Sequence, residues 1–239
     1  MEKAKKIKLF IGLFYLILIL LFLYLFFSKF SLQEVTSYEF IKNNRDYFSE
    51  LKKTNLFFLS ITFIIFTIIW VLAAGFGSPV ALFAGFIFGK WLGVLIVTFS
   101  LSLGATLLYA FANFFLRDLV KEKFLERFKN LELKFKKSEF IYLLIYRFIG
   151  GIPFAISNVL PCIFNVKKIN FFFATLIGMA PQLFLVCSIG SGLEKIIEQN
   201  LETPKMTDLI FSPDIYIPLS IFFCLVLITI FLRKIFYKK

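Results

Sequence analysis

The sequence contains no histidine, so the side chain that most often serves as general base or proton shuttle is absent. Cysteine is scarce as well. Cys162, Cys187 and Cys224 lie in apolar surroundings and share no metal-ligand spacing, which argues against disulfides and against a zinc site. Acidic residues number 15 against 27 lysines and arginines, and no Asp or Glu falls between Leu51 and Arg117. Without histidine, a metal cluster or paired carboxylates at membrane depth, the residues suggest no enzyme and no cofactor.

What the chain does have is apolar length. Of its 239 residues 59% are hydrophobic, and 36 are Phe. Uncharged runs cover residues 9–27, 91–116, 169–193 and 215–232, each long enough to cross a hydrocarbon core of about 30 Å. The expected fold class is an all-α polytopic membrane protein. The first run is too long and too aromatic for a cleaved signal, and no small-x-small cleavage site follows it, so it reads as a retained span. A formal charge of +12 could point to nucleic acid. Its placement at the borders of the apolar runs points instead to anionic lipid headgroups and the positive-inside rule, with no nucleic-acid partner.

That rule sets a topology. Lys3, Lys5, Lys6 and Lys8 precede the first span. Arg117, Lys121, Lys123, Arg127, Lys129, Lys134, Lys136 and Lys137 fill the central loop, and Arg233, Lys234, Lys238 and Lys239 end the chain. Residues 191–214 carry five acids and only two lysines. Both termini and the central loop are therefore expected in the cytoplasm and residues 191–214 outside. The expected segments are an N-terminal anchor (1–30), an external surface segment (31–53), a core (54–193), an external loop (194–214), and a C-terminal helix with a basic tail (215–239). Short loops and lean termini suggest a bacterial inner membrane.

Two segments of the core resist a simple span. Residues 54–89 are uncharged and as one straight helix would measure about 54 Å. They are broken at Gly75-Phe76-Gly77-Ser78-Pro79, where Ser78 reads as an N-cap and Pro79 as a first helical residue. Residues 140–166 are broken the same way. If each enters and leaves on one side, every charged loop falls where the rule wants it. The core then reads as hairpin 54–89, span 91–116, amphipathic cytoplasmic linker 117–139, hairpin 140–166 and span 169–190. A shift of 74 residues aligns Gly77 with Gly151, Pro79 with Pro153, Ala81 with Ala155 and Gly104 with Gly178. One crossing separates the two units, so they would be inverted, an arrangement that recurs in transporters with the site where the breaks meet. Gly85, Gly89, Gly93 and Gly104 read as close-packing positions between helices.

Arg147 is the only charged residue between Glu139 and Lys167. An unpaired cation is costly in lipid, so it must face water, a carbonyl or an anion. Two readings stay open at this point: it caps hairpin carbonyls or snorkels to the surface, or it meets a substrate. Gly150, Gly151 and Pro153 break the helix beside it and free backbone amides. A helix N-terminus and a guanidinium both attract phosphate. Asn158 and Ser157 would line the site or satisfy backbone groups exposed by the break.

These residues also resemble a known family. The stretch 75–117 with its Gly85…Gly89 step, and the stretch 147–192 with Arg147-x5-Pro153-Phe154-x3-Asn158, are similar in order and spacing to the DedA/VTT-domain superfamily, also called SNARE-associated Golgi proteins. The resemblance covers roughly residues 54–193. It implies two opposed re-entrant hairpins and, from several members, scrambling of lipids or flipping of polyprenyl phosphates and phospholipids. Arg147 matches the family arginine of the second hairpin, and Pro153 and Asn158 match the VTT subgroup, whereas DedA-type flippases tend to carry a second arginine where Pro153 stands. Those flippases also use acids in the first hairpin, and their absence here counts against proton coupling by that route.

The expected function is movement of anionic lipid headgroups between leaflets, with Arg147, Gly150, Gly151, Pro153, Asn158, Ser78 and Pro79 as candidate substrate-binding residues, membrane lipids as partners, and self-association as an option. A small-solute or ion transporter and a non-transporting membrane-homeostasis scaffold are the alternatives.

Overall fold

The computed structural model describes residues 38–124, 138–149 and 152–198, with isolated positions between 10 and 28 and between 213 and 224. Among these the chain is helical with short connections and no strand. In lipid the helix satisfies every backbone group within its own segment. In order come α1 (Tyr38–Leu72), α2 (Gly77–Phe124), α3 (Glu139–Ile149), α4 (Phe154–Val159), a 3-10 turn (Leu160–Phe164) and α5 (Lys168–Glu198). The terminal spans expected at 9–27 and 215–232, apart from those isolated positions, the loop 199–212 and linker residues 125–137 lie outside the described residues.

Among the described residues three stretches are long and apolar enough to cross a membrane: Tyr47–Leu72, Gly77–Phe115 and Lys168–Lys195. The chain is an integral membrane protein. Two of the three are not straight. α1 leaves helical geometry at Asn55 (φ −152°, ψ 65°), two residues past the last charge, Lys53. The Asn55 Oδ1 accepts the Phe58 N–H at 3.2 Å, so residues 56–72 start with their own side-chain cap.

α2 turns at Gly89, whose φ of 77° and ψ of 172° lie where glycine alone is comfortable. A Cβ on Gly93 would fall 2.6 Å from the Ala84 carbonyl oxygen, so the limbs 77–88 and 90–124 fold back against each other. Gly89 is thus a turn residue, with open space where its Cβ would be, rather than the packing glycine expected from sequence. The limb 77–88 is about 18 Å long, too short for a core of about 30 Å. The backbone of α2 stays helical through Phe124, so the linker expected from residue 117 begins as a continuation of the span.

The second hairpin is shorter. α3 has 11 residues, about 16 Å of helix, and the α4 arm is no longer. Glu139 closes its open end: one carboxylate oxygen accepts the Lys167 N–H at 3.0 Å and the other accepts the Asn170 Nδ2 amide. That ties the start of α3 to the start of α5 and places a negative charge at a helix N-terminus.

Packing crosses between the units. The 77–88 limb lies so close to α5 that a Cβ on Gly85 would sit 2.0 Å from the Cys187 carbonyl oxygen. The α4 arm lies against the 90–124 limb, where the Tyr109 hydroxyl donates to the Val166 carbonyl at 2.7 Å. One apolar cluster joins Trp70, Val71, Val80, Ala84, Val97 and Leu101 to Met179, Leu183 and Cys187. A second joins Ala105, Tyr109 and Ala112 to Leu143, Cys162, Phe171 and Ala174. Phe154 packs against both, at the second break.

Candidate functional site where the two breaks meet

At the first break α1 ends in a Schellman-type turn. Ala74 takes the left-handed conformation (φ 60°), the Gly75 N–H bonds to the Trp70 carbonyl and the Ala74 N–H to the Val71 carbonyl, both at 2.9 Å. The Trp70 indole N–H then reaches forward to the Phe76 carbonyl at 2.9 Å. α2 starts at Gly77, so Ser78 and Pro79 fall in its first turn, and the cap position is Phe76, two residues before Ser78.

The second break follows α3. The chain resumes at Pro153, which caps α4, and the Ser157 N–H makes the first backbone bond, to the Pro153 carbonyl at 2.9 Å. Gly150 and Gly151 lie outside the described residues. Arg147 stands on α3 eight residues after Glu139, about 12 Å along the helix, and is only 4% exposed. Its Nε donates to the Thr175 hydroxyl at 3.1 Å, Nη1 to the Ser157 hydroxyl at 2.7 Å and Nη2 to the Asn158 Oδ1 at 2.7 Å. The guanidinium carbon lies 4.8 Å from the centroid of the Phe171 ring, a cation–π distance, and Phe171 itself stacks on Tyr109 at 4.6 Å.

The cation is therefore held by three neutral acceptors and by ring faces, Phe171 nearest and Tyr146 and Phe154 at 5.9 and 6.0 Å, and no carboxylate is among those partners. Ser157 is used twice, since its hydroxyl also donates to the Phe154 carbonyl at 2.7 Å. Of the five N–H donors of a guanidinium, three are placed in this way.

A cavity of about 300 Å³ opens between the two breaks. Phe76, Gly77 and Ser78 line it from the first, Tyr146, Arg147, Ile152, Pro153, Phe154 and Ser157 from the second, and Met179, Gln182, Leu183 and Val186 from α5. Arg147 is the only charged side chain among the described lining residues. Of the residues singled out from sequence, the structure brings Ser78, Arg147 and Pro153 to this cavity. Asn158 meets Arg147 but does not line the cavity, and Pro79 does not line it either.

Sequence reasoning missed Thr175, Phe171 and Gln182. Gln182 donates its side-chain amide to the Arg147 carbonyl at 2.9 Å, near the end of α3 where carbonyls lose their helical partners. It follows Pro181, which sits inside α5. An amide beside a proline within an apolar run was the available signal. Thr175 and Phe171 carried none, because hydroxyl and aromatic residues are ordinary in spans.

The VTT domain family matches residues 75–192, which takes in both breaks, the cavity and every partner of Arg147. Over 136 residues the chain is 26% identical to "Transmembrane protein 41 homolog" of Caenorhabditis elegans, covering 54% of this chain and 55% of that protein. Over 118 residues it is 33% identical to "Uncharacterized protein YqeD" of Bacillus subtilis (strain 168), covering 47% of this chain and 57% of that protein. The chain thus spans a little over half the length of these relatives. No solved structure matches. With its VTT domain at residues 75–192, the chain belongs to the DedA/VTT superfamily.

Proposed function

We propose that this protein moves lipids with anionic headgroups, phospholipids or polyprenyl phosphates, between the leaflets of its membrane in a scramblase-like manner. One observation carries the reading: a cavity between two helix breaks with a single cation, Arg147, in its wall. A volume of about 300 Å³ is at the lower end for ligand pockets and suits a headgroup, leaving the tails in lipid. The start of α2 at Gly77 and Ser78 borders the same cavity, and a helix N-terminus favours an anion. The described core between Lys53 and Glu139 holds no acid before Asp118, so the movement needs no proton carrier of the kind first-hairpin acids would supply. In this reading the protein is a transporter rather than an enzyme, sits in a bacterial plasma membrane, and keeps both termini on the cytoplasmic side.

A second reading has an observation of its own. Of the three hydrogen bonds of Arg147, two tie the arms of the second hairpin together and one ties it to α5, whether or not lipid ever reaches it. Translocation of labelled phospholipid and polyprenyl phosphate in reconstituted liposomes, counted per folded molecule, separates the two. Arg147→Ala should abolish translocation, and Arg147→Lys should retain part of it because an ammonium keeps the charge and loses the fork. Normal specific activity in the alanine variant would assign Arg147 to structure alone. For topology, cysteines placed at Lys129 and Lys238 should stay shielded from an impermeant thiol reagent in intact cells while one at Glu198 reacts. Labelling at Lys129 from outside would overturn the orientation.

A further inference from the structure

Away from the cavity, polar atoms among the described residues are left without partners at three buried points: Ser102 Oγ, Asn113 Oδ1 and Asn158 Nδ2. Ser102 and Asn158 are fully buried. A buried polar group without a hydrogen bond costs about 1–3 kcal/mol, and natural proteins usually meet that cost with ordered water.

Two of the three share a helix face, and the third, Asn158, lies on the hairpin packed against that helix. Ser102, Tyr109 and Asn113 recur at seven and then four residues along the 90–124 limb, which puts them on one helix face. That face carries Ala105, Tyr109 and Ala112, which pack against the second hairpin and the start of α5. Asn113 donates to the Asn165 Oδ1 at 3.1 Å, and whichever way its amide is set, one end is left over. Asn158 gives its Oδ1 to Arg147, which commits its Nδ2 to point elsewhere.

Ser102 departs from its neighbours. Thr67, Thr98, Ser100, Thr106 and Ser188 each turn their hydroxyl back onto the carbonyl four residues earlier, the usual resort of a hydroxyl in an apolar helix. The Ser102 hydroxyl makes no such bond.

From these positions we infer a file of internal water molecules between the 90–124 limb and the second hairpin, running from Asn113 and Asn165 inward to Ser102 and Asn158. Its length along α2 is about 16 Å. It ends behind the guanidinium, at an asparagine that does not line the cavity, so it is a second polar site and not an extension of the first. Waters there would solvate a cation that has no carboxylate among its hydrogen-bond partners. The inference stands independently of lipid transport.

X-ray hydroxyl-radical footprinting tests it on the full chain in lipid nanodiscs, because radicals formed from bound water modify the side chains beside it. Cys162 and Cys187 form a matched pair. Both are fully buried free thiols bonded to a backbone carbonyl, Cys162 to Tyr109 and Cys187 to Ala81. Only Cys162 belongs to the cluster along the file. Cys162 and Tyr109 should be modified several-fold faster than Cys187. Equal rates for the two thiols would overturn the inference. Ser102→Ala removes the hydroxyl without adding bulk, and should lower the Cys162 rate while leaving Cys187 unchanged. A Cys162 rate untouched by that substitution would also count against the file, since Ser102 is its inner anchor.

Discussion

The two helix breaks solve one problem with different chemistry. At the first, the last carbonyls of α1 are satisfied by backbone bonds and by the Tyr15 hydroxyl, which donates to Leu72, and the Trp70 indole takes the Phe76 carbonyl of the connection, in apolar surroundings. At the second, a guanidinium is met by Thr175, Ser157 and Asn158, and Gln182 takes the Arg147 carbonyl. The first break is held by shape and the second by polar pairing. A region fixed by shape has one low-energy arrangement, whereas a cation held only by neutral acceptors can exchange them for an anion and gain stronger bonds. The second break is therefore where substrate chemistry is expected, and the first supplies a rigid wall.

That contrast predicts unequal responses to substitution. The largest effect belongs to shape. Gly85→Leu places side-chain atoms where the main chain of Cys187 already lies, and a rigid backbone cannot yield as a side chain would. The cost should be about 3 kcal/mol or more. Size-exclusion chromatography in detergent should show little monodisperse protein. A well-folded leucine variant would mean that α2 and α5 are not packed as tightly as the structure has them.

Next is a substitution that leaves the second break in place and changes only its strength. Asn158→Asp sets a carboxylate 2.7 Å from Nη2 in place of the amide oxygen. The bond then joins two ionised groups and is stronger than the present one to a neutral amide oxygen. If Arg147 must exchange Asn158 for a lipid phosphate, an added hold of about 1.4 kcal/mol slows that exchange about tenfold. Thermal stability should rise while translocation per molecule falls. A rise in stability with unchanged translocation would show that Arg147 never leaves its partners.

Trp70→Phe should be milder. It removes the bond to Phe76 at a cost of about 1 kcal/mol and keeps most of the aromatic bulk. The melting temperature should drop while translocation per folded molecule holds. A variant that folds normally but transports poorly would move the first break from wall to working part.

Much of this could be read from the chain before any coordinates, and the rest could not, for physical reasons. Uncharged runs, a lone arginine and clustered glycines and prolines are local signals, so the apolar helices of the described core, both breaks and Arg147 were legible. The partners of Arg147 on α5 were not, because Thr175 and Phe171 sit 28 and 24 residues away in sequence and resemble any other residue of a span. The sequence pattern puts the start of the helix after the first break at Ser78 and Pro79, whereas it begins at Gly77. Glycine is the usual left-handed residue at a helix end. In the structure Gly75 is needed for space, since a Cβ there would lie 2.2 Å from the Trp70 Nε1. The left-handed position falls to Ala74 instead.

The smallest predicted effect follows from that displacement. An alanine at φ 60° bears a steric penalty of about 1–2 kcal/mol that glycine avoids. Ala74→Gly removes the penalty, and the gain is partly offset because glycine frees the unfolded chain by about 0.4–1 kcal/mol. Ala74 is exposed, so the lost methyl sacrifices little packing. The variant should melt slightly higher than the parent, with translocation unchanged, because the first break keeps its shape. The corresponding left-handed residue beyond the second break is Asn165 (φ 49°), whose side chain bonds to Asn113. Asn165→Gly relieves less strain, since asparagine tolerates this conformation, and it loses that bond. It should therefore lower stability. Opposite signs at the two positions are the expected result in a thermal-shift measurement, and a gain at both would mean that the polar pairing around the second hairpin contributes nothing to holding it in place.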